Sequence, residues 1–375
     1  MLVAEGALRI LDYPKRPKVG WKVSEYPESE VNQFGFRGKR LSETSDKPVV
    51  LFLGDSFVES AASRFDYIPE RLLSRALEDA GQDFEVASLG AKGYGQDQEL
   101  LALKEYFQTS KADLVILWAI PDNDVWNNIF PSHGEGWPKP TYRLADGKLV
   151  EPEYPWLEKV PLAGLRLYHV IKYALQGGYR DREAEAGLPR AYQPVLEIEG
   201  TPNREWQELW DSNEAFQTER FDQDKHHRLL YLNPPSPRIE YGVQLTKSLL
   251  QEIEKVCTEN SARFVVLTCT PWDAWPKGDP AEDQEWMELE GKYYGFSQHR
   301  YRENMESIYG GFPHLVVPCT VEDWQVSPTD PHFNEHAVEQ VMNDLAKALI
   351  DQGYLKAQRQ SLHKPAGHKA APAEG

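Results

Sequence analysis

The chain has 375 residues, enough for one large domain with an insertion or for two domains, and its formal net charge is −18. Recognition of a phosphate backbone needs basic patches, so this charge argues against a nucleic-acid partner. Three cysteines without a CxxC pair offer neither a zinc ribbon nor a disulfide framework, and ten scattered histidines without HExxH mark no metal site, so no cofactor is expected.

Residues 1–12 (MLVAEGALRILD) are partly apolar, but too few for a membrane span and without a basic leader, so they read as neither a span nor a signal peptide. Two readings of location stay open: cytoplasmic as the chain stands, or envelope-associated if an anchor lies upstream. Asn32 to Gly38 mixes aromatic residues with glycines, which suggests an ordered loop packed on a core.

Val49 to Leu53 is an apolar run bounded by Pro48 and Gly54, the pattern of a strand buried on both faces. Asp66 to Ala80 carries Ile68, Leu72, Leu73, Ala76 and Leu77 at helical spacing, with Gly81 placed to end the helix. Phe84 to Leu89 reads as a second strand, Gly90 to Gly95 as the turn after it, and Gln98 to Phe107 as a second helix. Leu114 to Ile120 reads as a third strand, ending at Pro121-Asp122-Asn123-Asp124. Strand, turn and helix repeated in this way predict a parallel sheet with helices on both faces.

From Trp126 to Pro237 the rhythm breaks, and the segment reads as an insertion or lid over the carboxyl ends of the strands. It contains a Pro-, Gly- and Trp-rich stretch over 133–155, an amphipathic helix over 162–175, and Trp206 and Trp210 in a polar helical stretch. The α/β pattern resumes with a helix from Tyr241 to Cys257, a fourth strand from Arg263 to Cys269, a short fifth strand from Leu315 to Val317, and a helix from about His336 to Gln352. Cys269 and Cys319 end apolar runs and read as buried thiols, and the tail from Lys356 has too few apolar residues to fold.

In open α/β sheets ligands bind at the carboxyl ends of the strands, which is where Gly54-Asp55-Ser56 delivers a hydroxyl. Ser56 is therefore a candidate nucleophile, with a helix-capping turn serine as the alternative. A serine nucleophile needs a base and a group to orient it, and Asp330-Pro331-His332 supplies both residue types. Pro331 pushes Asp330 toward extended backbone, from which the carboxylate can turn back to the ring of His332; the alternative is a capping loop. Acyl transfer also needs donors for the developing oxyanion, and the backbone N–H groups of Ser56 and Gly93 with the Asn123 side chain offer three. Gly90 to Gly95 has neither the dinucleotide nor the P-loop order of glycines, and Asn123 in an Asx turn is the competing reading of that residue.

Gly54-Asp55-Ser56-Phe57, Gly93, Asn123-Asp124 and Asp330-Pro331-His332, in this order, resemble the SGNH hydrolases, also called GDSL-type esterases, and Asn32 to Gly38 is similar to a segment of a bacterial branch. The resemblance covers 32–125 and 240–352. It implies a three-layer α/β/α, flavodoxin-like fold with a mainly parallel five-stranded sheet and a large insertion. It also implies Ser56 as nucleophile, Ser56, Gly93 and Asn123 as the oxyanion hole, His332 as base and Asp330 as its orienter. The expected organisation is an extension at 1–47 packed on the core, an SGNH hydrolase core at 48–125 and 238–353, the insertion or lid at 126–237, and a disordered tail at 354–375. The chain departs from the family pattern at Phe57, where leucine is frequent, at Ala337, where glycine is frequent, and in placing one residue between Asp330 and His332 where the family usually has two.

The expected function is a serine esterase acting through an acyl-enzyme on a small acyl group such as acetyl. The 11 tryptophans suggest a carbohydrate ester. Two alternatives use the same residues: an O-acyltransferase acylating a polysaccharide, and a carbohydrate-binding protein without turnover.

Overall fold

The structure is a computed structural model that describes residues 2–10, 26–42, 44–131, 139–152, 167, 171, 186–191, 203–204, 208, 223–269, 284–289 and 292–355. Most of the helix expected over 162–175, both Trp206 and Trp210, the segment 270–283 and the tail from 356 lie outside these residues. Among the described residues no helix is long and apolar enough to cross a membrane.

A short helix, α1 (Leu2–Ile10), precedes the first strand, β1 (Val49–Gly54), which is followed by α2 (Ser56–Glu59), α3 (Pro69–Asp79), β2 (Glu85–Gly90), α4 (Gln96–Thr109), β3 (Leu114–Trp118) and α5 (Pro121–Ile129). Hairpin strands β4 (Arg143–Ala145) and β5 (Lys148–Val150) come next, then α6 (Pro237–Glu259) and β6 (Arg263–Thr268). A second hairpin, β7 (Glu285–Leu289) and β8 (Lys292–Phe296), leads to α7 (Gln298–Tyr309) and β9 (His314–Val316). Strands β10 (Gln325–Ser327) and β11 (Asp330–Phe333) form a third hairpin before α8 (Glu335–Asp351).

The central sheet has five strands in the order β2-β1-β3-β6-β9, every neighbouring pair parallel. This is the mainly parallel five-stranded sheet expected from the sequence. Side chains alternate across a strand, so each strand of a covered sheet feeds two cores. Val50 and Phe52 join Leu72, Leu73 and Leu77 of α3 and Val341, Leu345 and Leu349 of α8 on one face. Leu51 and Leu53 join Leu100 and Leu103 of α4, Ile129 of α5 and Leu249 and Ile253 of α6 on the other. Each fully buried side chain of this size stabilises the fold by about 1.5–3 kcal/mol.

Local chemistry sets the ends of these elements. Pro69 stands at the first turn of α3, where its fixed φ suits a helix start, so the helix begins there and residues 65–67 form a separate 3-10 turn. At the other end Gly81 has φ +71°, and Gln82 N–H donates to Leu77 O at 2.8 Å, the closure of a Schellman turn. Pro121 opens α5 in the same way, and the helix runs on to Ile129, so the break expected at Trp126 falls inside a core helix. Leu229, Leu230 and Leu232, near the end of the segment read as an insertion, are also fully buried in the main core.

The chain leaves β1 for β2 on one side and later returns to β3 on the other, so the sheet order reverses between β1 and β3. A crevice outside the carboxyl ends of the strands forms at such a switch point. Helix α2 lies against it, with Val58 seated over the ends of β1 and β2. An added Cβ at Gly90 would lie 2.5 Å from Val58 Cγ1 and 2.8 Å from Glu59 N, and one at Gly54 would also strike Val58. Gly90→Ala should therefore destabilise the protein by about 1–3 kcal/mol, as overpacking does. The denaturant midpoint measures this, and an unchanged midpoint would show that α2 is free to move.

Candidate active site

Ser56 is the first residue of α2, set at the end of β1 by Gly54 and Asp55. Asp55 caps the helix: its Oδ1 accepts from Phe57 N–H at 2.9 Å, and its Oδ2 accepts from the Asn123 amide at 2.5 Å. The first N–H of a helix has no intrahelical acceptor, so the Ser56 amide stays available at the end of β1. The helix closes after one turn, with Ser60 at φ 50° and its N–H on Ser56 O at 2.8 Å.

The partner of the serine comes from the β10–β11 hairpin. His332 Nε2 lies 2.8 Å from Ser56 Oγ, and His332 Nδ1 lies 2.5 Å from Asp330 Oδ1. The same Asp330 oxygen accepts from the His332 backbone N–H at 3.1 Å. An ionised carboxylate only accepts, so Nδ1 carries the hydrogen in this bond and neutral Nε2 presents its lone pair to the serine hydroxyl. The spacing that departs from the family pattern has a simple geometric basis. Asp330 and His332 lie on a strand, where residues i and i+2 share a face. Asn334 ties the hairpin to α8: its Oδ1 accepts from Ala337 N–H at 3.0 Å and its amide donates to Gln325 O at 3.2 Å. Phe57 packs 5.0 Å from the His332 ring and 5.3 Å from Phe333, forming an apolar wall beside the imidazole.

Gly93 and Asn123 follow β2 and β3, the two strands that flank β1. Gly93 has φ +72°, a conformation that side-chain-bearing residues adopt at a cost, so glycine is needed here. In this loop Ala91, Lys92 and Tyr94 N–H donate to Gly54 O, Glu59 Oε2 and Ala91 O, whereas Gly93 N–H has no acceptor among the described residues. Asn123 spends one amide hydrogen on Asp55, and an amide carries a second. The structure therefore brings Ser56, His332 and Asp330 into one hydrogen-bonded chain. It links Asn123 to the turn holding Ser56, and it seats the Gly93 loop on the other end of α2.

The electrostatics differ sharply between the two sides of the site. The side chains of Asp330 and His332 are each 38% exposed. Burial alone would raise Asp330, but hydrogen bonds from His332 outweigh it and hold the carboxyl below its ordinary range. Behind the serine, Asp55, Asp97, Glu99 and Asp124 are all buried. Burial pushes Asp55 up against the hydrogen bonds from Phe57 and Asn123, and it pushes Glu99 and Asp124 well up, with neighbouring carboxylates adding to the effect. Neither Glu99 oxygen has a hydrogen-bond partner among the described residues, whereas Asp97 forms a buried ion pair with Lys139. Among the described residues no group of three or more His, Cys, Asp or Glu is arranged to hold a metal ion.

Sequence reasoning passed over three residues that build this site: Asp55 as the cap that also holds Asn123, Phe57 as the wall beside His332, and Glu59, whose carboxylate holds both the Lys92 amide and the Tyr26 hydroxyl. The sequence does carry a signal for the first, since aspartate immediately before a helix start is a preferred cap.

The chain matches no protein-family model and no curated protein sequence. Solved structures similar to it include a structure of TesA, 13% identical over 80% of this chain and 97% of that one, with a TM-score of 0.37. Another is the lipase/acylhydrolase from Enterococcus faecalis, 10% identical over 81% of this chain and 96% of that one, TM-score 0.35. A third is Est24, a carbohydrate acetylesterase from Sinorhizobium meliloti, 10% identical over 82% of this chain and 100% of that one, TM-score 0.36.

The raised carboxyls carry a pH signature. A group whose folded pKa lies above its unfolded value stabilises the protein fully below the unfolded pKa, and that stability is lost as pH rises through the folded pKa. For Glu99 the loss begins near the ordinary glutamate value of 4.5 and continues above it, at about 1.4 kcal/mol per pH unit. Thermal melts of Glu99→Gln and wild type should therefore coincide at pH 4 and diverge as pH rises, with the variant the more stable. A difference that does not vary with pH would show that Glu99 is not held protonated by burial.

Proposed function

We propose that this chain is a serine hydrolase of SGNH type that cleaves carboxylic esters through an acyl-enzyme. The observation that carries this reading is the Ser56 Oγ to His332 Nε2 separation of 2.8 Å, with Asp330 on the other ring nitrogen. A base within hydrogen-bond reach of the nucleophile, oriented by a third group, is the requirement for activating a serine.

In the proposed reaction Ser56 Oγ attacks the ester carbonyl while His332 Nε2 takes its proton. Asp330 stabilises the imidazolium and holds the ring by its Nδ1–H. The carbonyl oxygen, now negative, accepts from the amides of Ser56 and Gly93 and from the Asn123 side chain. Collapse of the tetrahedral species expels the alcohol, which receives the proton from His332. Water, activated by the same imidazole, then releases the acid and restores the serine.

We further propose a small acyl group such as acetyl, carried on a carbohydrate. The abundance of tryptophan supports a sugar-binding surface. A glycan hydroxyl replacing water in the second half-reaction would make the same machinery a transferase, and product analysis with a glycan acceptor separates the two.

Short-chain nitrophenyl esters and acetylated glycans are the test substrates. Ser56→Ala and His332→Ala should each lower kcat by about 10³-fold or more, given how strongly such residues act as a unit. Asn123→Ala should lower kcat by about 10²–10³-fold with a smaller change in KM, the effect of losing one oxyanion donor. Wild-type turnover by Ser56→Ala would refute the reading outright.

A further inference from the structure

We propose that Glu59 is a positioning residue for the oxyanion loop: by accepting the Lys92 N–H from the last position of the nucleophile's own helix, it sets where the neighbouring Gly93 N–H stands relative to Ser56. This rests on the reading of Ser56 as nucleophile and Gly93 as oxyanion donor, and adds to it a residue outside the triad and the oxyanion hole.

Glu59 ends α2 and is only 3% exposed. A carboxylate taken out of water is costly unless donors replace its hydration. Here Oε2 accepts from Lys92 N–H at 2.6 Å and Oε1 accepts from the Tyr26 hydroxyl at 2.8 Å. Both bonds are long-range in sequence, so they fasten three separate segments together: the stretch around Tyr26, the serine-bearing turn, and the loop after β2.

The geometry of that loop explains why the bond matters to Gly93. Tyr94 N–H donates to Ala91 O at 3.2 Å, closing a four-residue turn with Lys92 and Gly93 at its centre. Positive φ at the second central residue is the mark of a type II turn, and Gly93 has φ +72°. Types I and II differ mainly by a flip of the central peptide, and the N–H of that peptide belongs to Gly93. The peptide is separated from the bond to Glu59 only by the backbone torsions of Lys92. With Lys92 N–H held and the turn closed by Tyr94, the direction of the Gly93 amide is determined; without Glu59 the central peptide is released.

The anchor itself is fixed from behind. The Arg37 guanidinium donates to Ser60 O at 2.5 Å and Ser63 O at 2.9 Å, and pairs with Glu30 at 3.2 Å, while its Cζ lies 4.6 Å from the centre of the Tyr26 ring. Segment 26–37 thus holds the carboxyl end of α2, and Glu59 passes that constraint to the oxyanion loop. A ground-state ester needs no oxyanion donor, so the role should appear in kcat and not in KM.

The test compares Glu59→Ala, Glu59→Gln and Ser56→Ala on a short-chain nitrophenyl ester, with rates normalised to active sites titrated by a fluorophosphonate. Glu59→Ala should lose about 10–100-fold in kcat with KM changed by no more than about twofold, and should bind a boronic acid mimic of the tetrahedral species more weakly by a similar factor. Glu59→Gln should recover to within about threefold of wild type, because its Oε1 still accepts from Lys92. Wild-type kcat in Glu59→Ala, or equal damage in the alanine and glutamine variants, overturns the proposal. Should Glu59→Ala not fold, Glu59→Met fills the same space without an acceptor and is read the same way. The Lys92 amide of the wild type gives a reading independent of any variant: slow hydrogen exchange is expected, and exchange at the rate of an open loop overturns the proposal. Ser56→Ala separates the two levels, since an active Ser56→Ala removes the nucleophile reading itself, whereas an inactive one beside a fully active Glu59→Ala removes only the role of Glu59.

Discussion

Val58 occupies the space that side chains on Gly54 and Gly90 would fill, and that close approach lets a one-turn helix lie across the ends of two strands. Everything at the site is hung from this helix. Asp55 at its start holds Asn123, Ser56 faces His332, and Glu59 at its end holds the loop of Gly93. Because the helix has a single turn and a strained left-handed residue, Ser60, at its end, its own hydrogen bonds contribute little to keeping it in place. Its position is enforced from outside, by sterics under Val58 and by the Arg37 guanidinium on the carbonyls of Ser60 and Ser63.

The site divides into a buried half and an accessible half. On the buried side, burial raises the carboxyls of Asp55, Glu99 and Asp124, and the nearby Asp55 carboxylate raises the other two further. On the accessible side, Asp330 and His332 stand on a two-stranded hairpin and are partly open to solvent. There the carboxyl keeps its charge and can stabilise an imidazolium. Position in the fold, and not residue type, separates the behaviour of Asp330 from that of Asp55.

Much of this architecture was legible in the sequence, because continuous apolar runs such as Val49 to Leu53 and 3.6-residue spacing such as that of Leu245, Leu249 and Ile253 encode strand and helix directly. The five strands of the central sheet lie within a residue or two of their expected bounds. Less visible were α7 and the β7–β8 hairpin, where few apolar residues interrupt a polar stretch. In α7 the inward positions are Tyr301, Asn304, Met305, Ile308 and Tyr309, a helical stripe in which aromatic and amide groups stand in for aliphatic ones. Helix α5 was hidden for a different reason: its proline was read as the end of a strand when it is the start of a helix.

By itself the sequence determined the alternating strand and helix order, the glycines where backbone must approach closely, and the residue types able to carry acyl transfer at the strand ends. These are local properties, written in short stretches of chain. Tertiary structure alone decided that the Asp330–His332 pair, legible in the sequence, stands on a strand and meets Ser56. It also decided that Asp55 would hold Asn123, and that Glu59 would join Tyr26 to Lys92. The bonds from Asn123, Tyr26 and Lys92 to these carboxylates span 33 to 68 positions, and a carboxylate's partner at that range follows from the packing of the sheet and not from its neighbours in the chain.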